Sequence, residues 1–140
     1  MSGDWVQDVV DFHNQFGCYS SAEPRSIPSD IEELRWKLII EELNELAGGM
    51  FEEPDLGVVA DSIADLIYVL IGTAIAYGID LRPIWDAVQK ANMAKVGGGV
   101  RGDGKILKPP GWTPPDIDKL LNEQQPLGIG NEREEDGNAH

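Results

Sequence analysis

The sequence has a single cysteine, few basic residues and no long uncharged apolar run. Cys18 cannot form an internal disulfide, which favours a reducing compartment. No secretory leader is recognised at the N-terminus. The longest uncharged, mainly apolar run, at residues 66–79, has 14 residues, whereas a membrane-spanning helix needs about 20. We therefore expect a cytoplasmic protein without disulfides and without membrane contact.

Basic residues are scarce, and they are unevenly distributed. The 140 residues include 11 Lys and Arg against 25 Asp and Glu, a net charge of −14, which argues against nucleic acid and anionic membranes as partners. Residues 90–108, however, contain five of the eleven bases and one acid, a local net charge of +4. One interpretation is a solvated loop that balances local charge. The other is a cationic arm that binds an anionic group such as a polyphosphate.

The length and the hydrophobic spacing predict one all-α domain. A chain of 140 residues fits a single domain. Apolar residues recur at helical spacing in four segments, and no strong strand pattern or internal repeat accompanies them. The predicted helices span residues 4–16, 29–47, 58–77 and about 80–95. We therefore predict a four-helix bundle.

Residues at the ends of these segments support the predicted boundaries. Ser29 and Glu32 have the spacing of a capping box, the pair Gly48-Gly49 is expected to end the second helix, and Asp80 is suited to N-cap the fourth. The Gly- and Pro-rich residues that follow predict an irregular arm. The domain is expected to cover residues 1–121, including the arm at 97–115, and an acidic, disordered tail is expected at 122–140.

Two of the predicted helices carry acidic residues on otherwise apolar faces. On a wheel at about 100° per residue, three glutamates of the second helix share a stripe with large aliphatic residues. In the third helix, two aspartates share one face and are its only charged residues. We call these five residues the acidic cluster: Glu41, Glu42, Glu45, Asp61 and Asp65.

The acidic cluster needs a source of positive charge if it is enclosed. Buried carboxylates are costly unless they are paired with a cation. The two helices contain only Arg35 and Lys37 as bases, and Arg35 could pair with one carboxylate at most. The alternative to an enclosed cluster is that the whole face is exposed to solvent and needs no counter-charge. Mg²⁺ or Mn²⁺, which prefer oxygen ligands, would neutralise all five, and we predict a metal site here.

The acidic cluster lies in a pattern that resembles a known enzyme superfamily. Residues 41–45 (EELNE) and 60–69 (ADSIADLIYV) are similar to the ExxE and ExxD motifs of the MazG-like all-α nucleoside triphosphate pyrophosphohydrolases. That superfamily includes phosphoribosyl-ATP pyrophosphohydrolases and dimeric dUTPases. Residues 11–17, 91–95 and 103–112 resemble further signatures of a phage and bacterial branch. The resemblance implies a MazG-like helical bundle with an oligomeric core.

The resemblance also implies which acids would be metal ligands. Glu42 and Glu45 match the ExxE ligands, and Asp65 matches the aspartate of ExxD. The glutamate of ExxD falls on Ser62, which is a departure from the pattern. We infer that Asp61, four residues before Asp65 and on the same helix face, replaces the missing carboxylate.

The implied reaction is metal-dependent hydrolysis of the α–β phosphoanhydride of a nucleotide, which releases a monophosphate and pyrophosphate. Two or three Mg²⁺ or Mn²⁺ ions would neutralise the phosphates and lower the pKa of the attacking water. Glu42 and Glu45 would then be catalytic as metal ligands. Glu41 would hold a further ion or orient the water. The branch also suggests a deoxynucleotide substrate (dUTP, dGTP and dATP remain open) and, for a phage protein, a location in the host cytoplasm.

The resemblance gives the cationic arm a role in substrate binding. Asn92, three residues before Lys95 on the same helical face, would bond the sugar or base. His13 and Trp112 are candidates for a nucleoside pocket, with ordinary packing as the alternative role for each. The outer phosphates would be bound by Lys95, Arg101, Lys105 and Lys108.

The sequence is compatible with two other functions. One is a non-catalytic helical module whose acidic face binds a basic partner, which the departure at Ser62 favours. The other is phosphoribosyl-ATP hydrolysis, which the phage-type arm disfavours. For any of these functions we expect a homodimer or homotetramer, because two helices that are apolar almost all round cannot both be covered in a four-helix monomer. In such an assembly the arm could close over a neighbour's site.

Overall fold

A computed structural model describes residues 3–130 of the chain and is all-helical in that range. Its five α-helices are α1 (Trp5–Phe16), α2 (Ser29–Ala47), α3 (Leu56–Ala76), α4 (Leu81–Met93) and α5 (Ile117–Glu123). A π-helical turn, Gly48–Glu52, directly follows α2. The described residues contain a single isolated antiparallel bridge, Val100 to Ile106, and no named strand. The predicted all-α class is confirmed.

The chain forms two compact units. Among the described residues, the first combines 3–79 with 125–130, and the second runs from Asp80 to Gln124. In the first unit, α3 packs against both α1 and α2. The buried apolar side chains of this first unit are Val6, Val9, Val10, Ile27, Ile71, Ile75, Ala76 and Leu127. The acidic cluster lies in the first unit and the cationic arm in the second.

The segment after α4 is ordered further than the sequence predicted. Helix α5 extends to Glu123, with Asp116 as its N-cap. Leu127 is buried in the first unit, and its N–H donates to the carbonyl of Ala22 at 2.8 Å. The prediction of a disordered tail from residue 122 is therefore wrong for residues 122–130, because α5 continues to Glu123 and the apolar side chain of Leu127 is buried. The rest of that predicted tail, residues 131–140, lies outside the described residues.

The start of α2 differs from the predicted capping box. The N-cap is Pro28, which offers no side-chain hydrogen bond, and Ser29 is already helical. The carboxylate of Glu32 accepts a hydrogen bond from the hydroxyl of Tyr77. Glu32 is therefore engaged with the end of α3, and the capping-box prediction is wrong.

Helix α2 ends at Ala47 with Gly48 as its C-cap, as the pair Gly48-Gly49 predicted. A π-helical turn, which the sequence did not predict, follows directly and begins at this glycine pair. Gly49 is buried, and a Cβ at this position would lie 2.8 Å from Cγ1 of Val58. The missing side chain of Gly49 thus lets the end of α2 approach the start of α3, which holds the two acidic helices side by side.

Helix α3 is the most apolar element of the described chain. Its 21 residues have a mean hydropathy of 1.9 over the most apolar window, and by length and composition alone it could cross a membrane. The core helix of a soluble protein passes the same test. Asp61 and Asp65 lie within α3 and interrupt its apolar surface. The absence of membrane contact stays a prediction.

Candidate functional site

Three residues of the acidic cluster converge in the first unit. Glu42 and Glu45 on α2 and Asp65 on α3 each offer one carboxylate oxygen, and these oxygens all lie within 4.8 Å of one another. The i, i+3 spacing puts the two glutamates on one face of α2, and α2 packs along α3. This arrangement can hold a divalent cation. Glu41 is exposed and is outside this group of three.

Glu42 is the member whose surroundings most require a cation. Its Oε2 atom is buried and has no hydrogen-bond partner within the described residues. Burial raises the pKa of Glu42, and the nearby charges of Glu45 and Asp65 raise that pKa further. A buried carboxylate oxygen without a partner is costly, and a metal ion would supply both a ligand bond and counter-charge. The residues present therefore fit a site for Mg²⁺ or Mn²⁺.

Asp61 and Ser62 have different surroundings on α3. Asp61 is exposed, and its charge is among those that raise the pKa of Glu42. Ser62 is 1% exposed and lies in the packed interior. Of these two residues, only Asp61 offers a carboxylate to the acidic cluster, although it is outside the group of three converging acids.

Arg35 does not neutralise the acidic cluster. Its Nη2 atom donates to the carbonyl of Val69 at 2.7 Å, and its Nε atom donates to Oγ1 of Thr73 at 3.1 Å. A Cβ at Gly72 would lie 2.5 Å from Nη2 of Arg35, so this glycine leaves room for the guanidinium against α3. Arg35, which the sequence suggested as a partner for one carboxylate, therefore joins α2 to α3 instead. The sequence contains no local signal for this role.

His13 lies in the packed interior of the first unit, where it is 2% exposed. Its Nδ1 atom is 3.0 Å from Oγ of Ser20 and 3.2 Å from the carbonyl oxygen of Tyr19. Burial lowers the pKa of His13 to about 4, and the positive charge of Arg35 acts in the same direction. His13 is thus a neutral residue of the core at pH 7, which corresponds to the packing role that the sequence left open.

The buried state of His13 predicts a loss of stability in mild acid. Its pKa is about 4 in the folded chain against 6.5 for an unperturbed histidine, so the unfolded chain binds more protons between these values. Stability should therefore fall as the pH is lowered from about 6.5 towards 4. Thermal unfolding in EDTA should show this slope, and His13→Asn should reduce it. If stability depended on pH equally in the two proteins, His13 would not be the cause, because the carboxylates titrate in both.

The predicted phosphate-binding residues separate into two groups in the second unit. The Nζ atoms of Lys95 and Lys108 lie 5.5 and 4.9 Å from the ring centroid of Trp112. Arg101 instead forms a bidentate pair with Asp103, with contacts of 2.9 and 2.7 Å.

The remaining two candidates of this unit, Asn92 and Lys105, are exposed. The backbone N–H of Lys105 donates to Oδ1 of Asp103 at 3.3 Å, which ties the Lys105 backbone to the same turn as Arg101. The structure thus brings Lys95, Lys108 and Trp112 together, while Arg101 is engaged elsewhere.

Comparison with known proteins identifies a family. The model of the phosphoribosyl-ATP pyrophosphohydrolase family matches residues 9–92, which is more than half of the chain. The matched region contains α2 and α3 with the whole acidic cluster, and it ends within α4, before Lys95. A search of curated proteins found no significant match.

Proposed function

Because the chain belongs to the phosphoribosyl-ATP pyrophosphohydrolase family, within the MazG-like all-α superfamily, we propose that its acidic cluster binds Mg²⁺ or Mn²⁺ and supports hydrolysis of a nucleoside triphosphate. The bond cleaved would be the α–β phosphoanhydride, and the products would be a monophosphate and pyrophosphate. The observation that carries the metal site is the buried, unpartnered Oε2 of Glu42 beside two further carboxylates.

We assign different roles to the residues of the acidic cluster. Glu42, Glu45 and Asp65 hold the first ion, because their oxygens already converge. Asp61 adds a fourth carboxylate, and Glu41 holds a further ion or orients the attacking water by accepting a hydrogen bond from it. When bound, two or three ions would supply a water of lowered pKa and neutralise charge on the leaving pyrophosphate.

The substrate we propose is a deoxynucleoside triphosphate, for nucleotide-pool control or for synthesis of modified-base DNA. The arm at residues 97–115, with its similarity to a phage-type branch, supports this choice. Phosphoribosyl-ATP is the second candidate, because the matching family carries that name. Both substrates present a polyphosphate, so the cluster and the cationic arm would serve either one.

The proposed function can be tested with a substrate panel. The full chain is incubated with each NTP, each dNTP and phosphoribosyl-ATP in Mg²⁺, in Mn²⁺ and in EDTA. We expect pyrophosphate and the matching monophosphate in either metal and no product in EDTA. Release of orthophosphate would contradict cleavage at the α–β bond. No turnover of any substrate would favour the non-catalytic interaction module.

We also propose that the protein assembles as a homodimer or homotetramer. In the single chain no residue of α2 is fully buried, and Trp36 of this helix is 63% exposed. An apolar groove of about 350 Å³ also opens between α1 and α3. Extended apolar surface of this kind is unusual on a monomer. Light scattering at micromolar concentration should give two or four chain masses, and the mass of one chain would contradict the proposal.

A further inference from the structure

We propose that Arg35 is a positioning residue for the acidic cluster: it holds α2 in one register with α3, so that the three converging carboxylates stay together before a cation binds. The guanidinium donates to a carbonyl group and a hydroxyl group of α3. Arg35 therefore acts on the metal site through the two helices that carry it. The metal site rests on the proposed function, whereas the register rests on contacts within the first unit.

Arg35 and the acids lie on matching faces of the two helices. Seven residues separate Arg35 from Glu42 on α2, and seven separate Asp65 from Gly72 on α3. Seven residues make almost two helical turns and a rise of about 10 Å, so each pair shares a helix face. A Cβ at Gly72 would lie 2.5 Å from Nη2 of Arg35. These two residues thus face each other in the antiparallel register that also brings the acids together.

A second contact holds the same register on the other side of the acids. Gly49, in the turn that follows α2, comes seven residues after Glu42, and Val58 comes seven residues before Asp65. A Cβ at Gly49 would lie 2.8 Å from Cγ1 of Val58. In sequence, the acids thus lie midway between two contacts with α3, of which Arg35 supplies the polar one. A displacement at either contact would change the distances between carboxylates on different helices.

Hydrogen bonds set this register more strictly than apolar packing does. No residue of α2 is fully buried in the single chain, and apolar contacts are non-directional, so they tolerate small displacements along the helix. Arg35 instead donates to Val69 and Thr73, two acceptors that are themselves joined, because Oγ1 of Thr73 donates to the carbonyl of Val69 at 2.8 Å. Hydrogen bonds require narrow ranges of distance and angle. Displacement of α2 along α3 would therefore break one or both bonds of Arg35.

His13 of α1 adds an uncharged neighbour to this contact. A Cβ at Gly72 would also lie 2.9 Å from Nε2 of His13. Oγ of Ser20 donates to the carbonyl of Cys18 at 3.0 Å, so in its contact with His13 it accepts from the Nδ1–H. The proton of the neutral imidazole is therefore on Nδ1, and the unprotonated Nε2 lies on the side of Gly72. The positive charge of Arg35 lowers the pKa of His13, as expected for two neighbouring groups.

A fixed register matters because the acids repel one another in the absence of metal. The charges of Glu45 and Asp65 raise the pKa of Glu42, and Asp65 lies on the other helix. This repulsion acts to separate α2 from α3, and the hydrogen bonds of Arg35 oppose it. Without them a cation would have to draw the two helices back together when it binds, at a cost in affinity. Residues that support metal ligands typically contribute about 10- to 100-fold to metal affinity.

The positioning role can be tested by the affinity of the full chain for Mn²⁺, measured from the electron paramagnetic resonance of the free ion. Arg35→Met keeps a flexible side chain but removes the donors, and should weaken Mn²⁺ binding by about tenfold or more. Loss of a positive charge alone would strengthen cation binding, so the positioning role and a simple charge effect predict opposite signs. Lys37→Met is the matched control, because Lys37 is an exposed base of the same helix. This control should bind Mn²⁺ as tightly as the unaltered chain or more tightly.

Two further variants separate register from charge and from folding. Gly72→Ala keeps every charge but displaces the guanidinium, and should weaken Mn²⁺ binding as Arg35→Met does. Arg35→Lys keeps the charge and a donor group, and should recover part of the affinity that Arg35→Met loses. Circular dichroism in EDTA identifies the variants that fold, and if Arg35→Met does not fold, Gly72→Ala and Arg35→Lys decide. Folded variants that bind Mn²⁺ as tightly as the unaltered chain would overturn the proposal.

Metal affinity and turnover together distinguish the positioning role from the proposed function. Mn²⁺ binding that depends on Arg35, with no turnover of any nucleotide, would refute the proposed hydrolysis alone. Turnover with unchanged Mn²⁺ affinity in Arg35→Met and Gly72→Ala would refute the positioning role alone. An unaltered chain that binds no Mn²⁺ would overturn both, because there would be no metal site to position.

Discussion

Replacing Glu42 with glutamine should abolish metal binding and reduce turnover by at least about 100-fold, since even residues that merely support metal ligands contribute 10- to 100-fold. Glutamine keeps the size of the side chain but removes the charge that the cation needs. In the metal-free protein the same change relieves repulsion with Glu45 and Asp65, which raise the pKa of Glu42. The melting temperature in EDTA should therefore be unchanged or higher.

The diagnostic quantity for Glu42→Gln is the rise in melting temperature when Mg²⁺ or Mn²⁺ is added. A ligand that binds only the folded state stabilises it in proportion to RT ln(1 + [L]/Kd), so the rise should disappear in this variant. Glu33→Gln is the matched control, because Glu33 is an exposed acid on the same helix and lies outside the acidic cluster. A metal-induced rise that is equal in both variants would show that Glu42 is not a ligand.

The acidic cluster could be predicted because it follows from helix periodicity. Glu42 and Glu45 are three residues apart, and Asp61 and Asp65 are four apart, so each pair shares a helix face in any tertiary arrangement. Packing of α2 along α3 then brings three of the acids together. Periodicity could not indicate that Oε2 of Glu42 is the buried atom, because burial of one side-chain atom depends on how the two helices pack.

Contacts between residues that are distant in the sequence could not be predicted. Glu32 has the correct local spacing for a capping box, but Tyr77, 45 residues away, engages its carboxylate. Arg35 was the base that the sequence suggested as a partner for one of the carboxylates, yet it bonds Val69 and Thr73 of α3. In both cases the local sequence suggested one interaction partner, whereas the folded chain brings a different residue into contact.

Prediction of the cationic arm from the sequence was limited in a similar way. Composition identified it, because five of eleven bases fall within residues 90–108, but composition treats every base alike. The pairing of Arg101 with Asp103 is local and could have been expected from their two-residue separation. The contact of Trp112 with Lys95 and Lys108 depends on docking of the arm against α4. Charge clustering thus identified a basic region, and only the folded structure shows that Arg101 is paired with an acid while Lys95 and Lys108 lie near Trp112.

The second large effect is expected at Asp61. Asp61→Asn should preserve the fold, because asparagine has nearly the same shape and Asp61 is exposed. Its charge adds to the repulsion that raises the pKa of Glu42, so the metal-free melting temperature should be unchanged or higher. Turnover should fall by about 100-fold or more if a carboxylate ligand is lost, and the metal-induced rise in melting temperature should shrink.

Ser62→Ala is the matched comparison for Asp61→Asn, because the two residues are adjacent and the family pattern places a glutamate at position 62. Ser62 is buried and alanine fits the same space, so turnover should change far less than in Asp61→Asn. Loss of turnover in Ser62→Ala together with normal turnover in Asp61→Asn would reverse the assignment. The metal would then be reached through the serine position, and Asp61 would be an ordinary charged residue at the rim of the cluster.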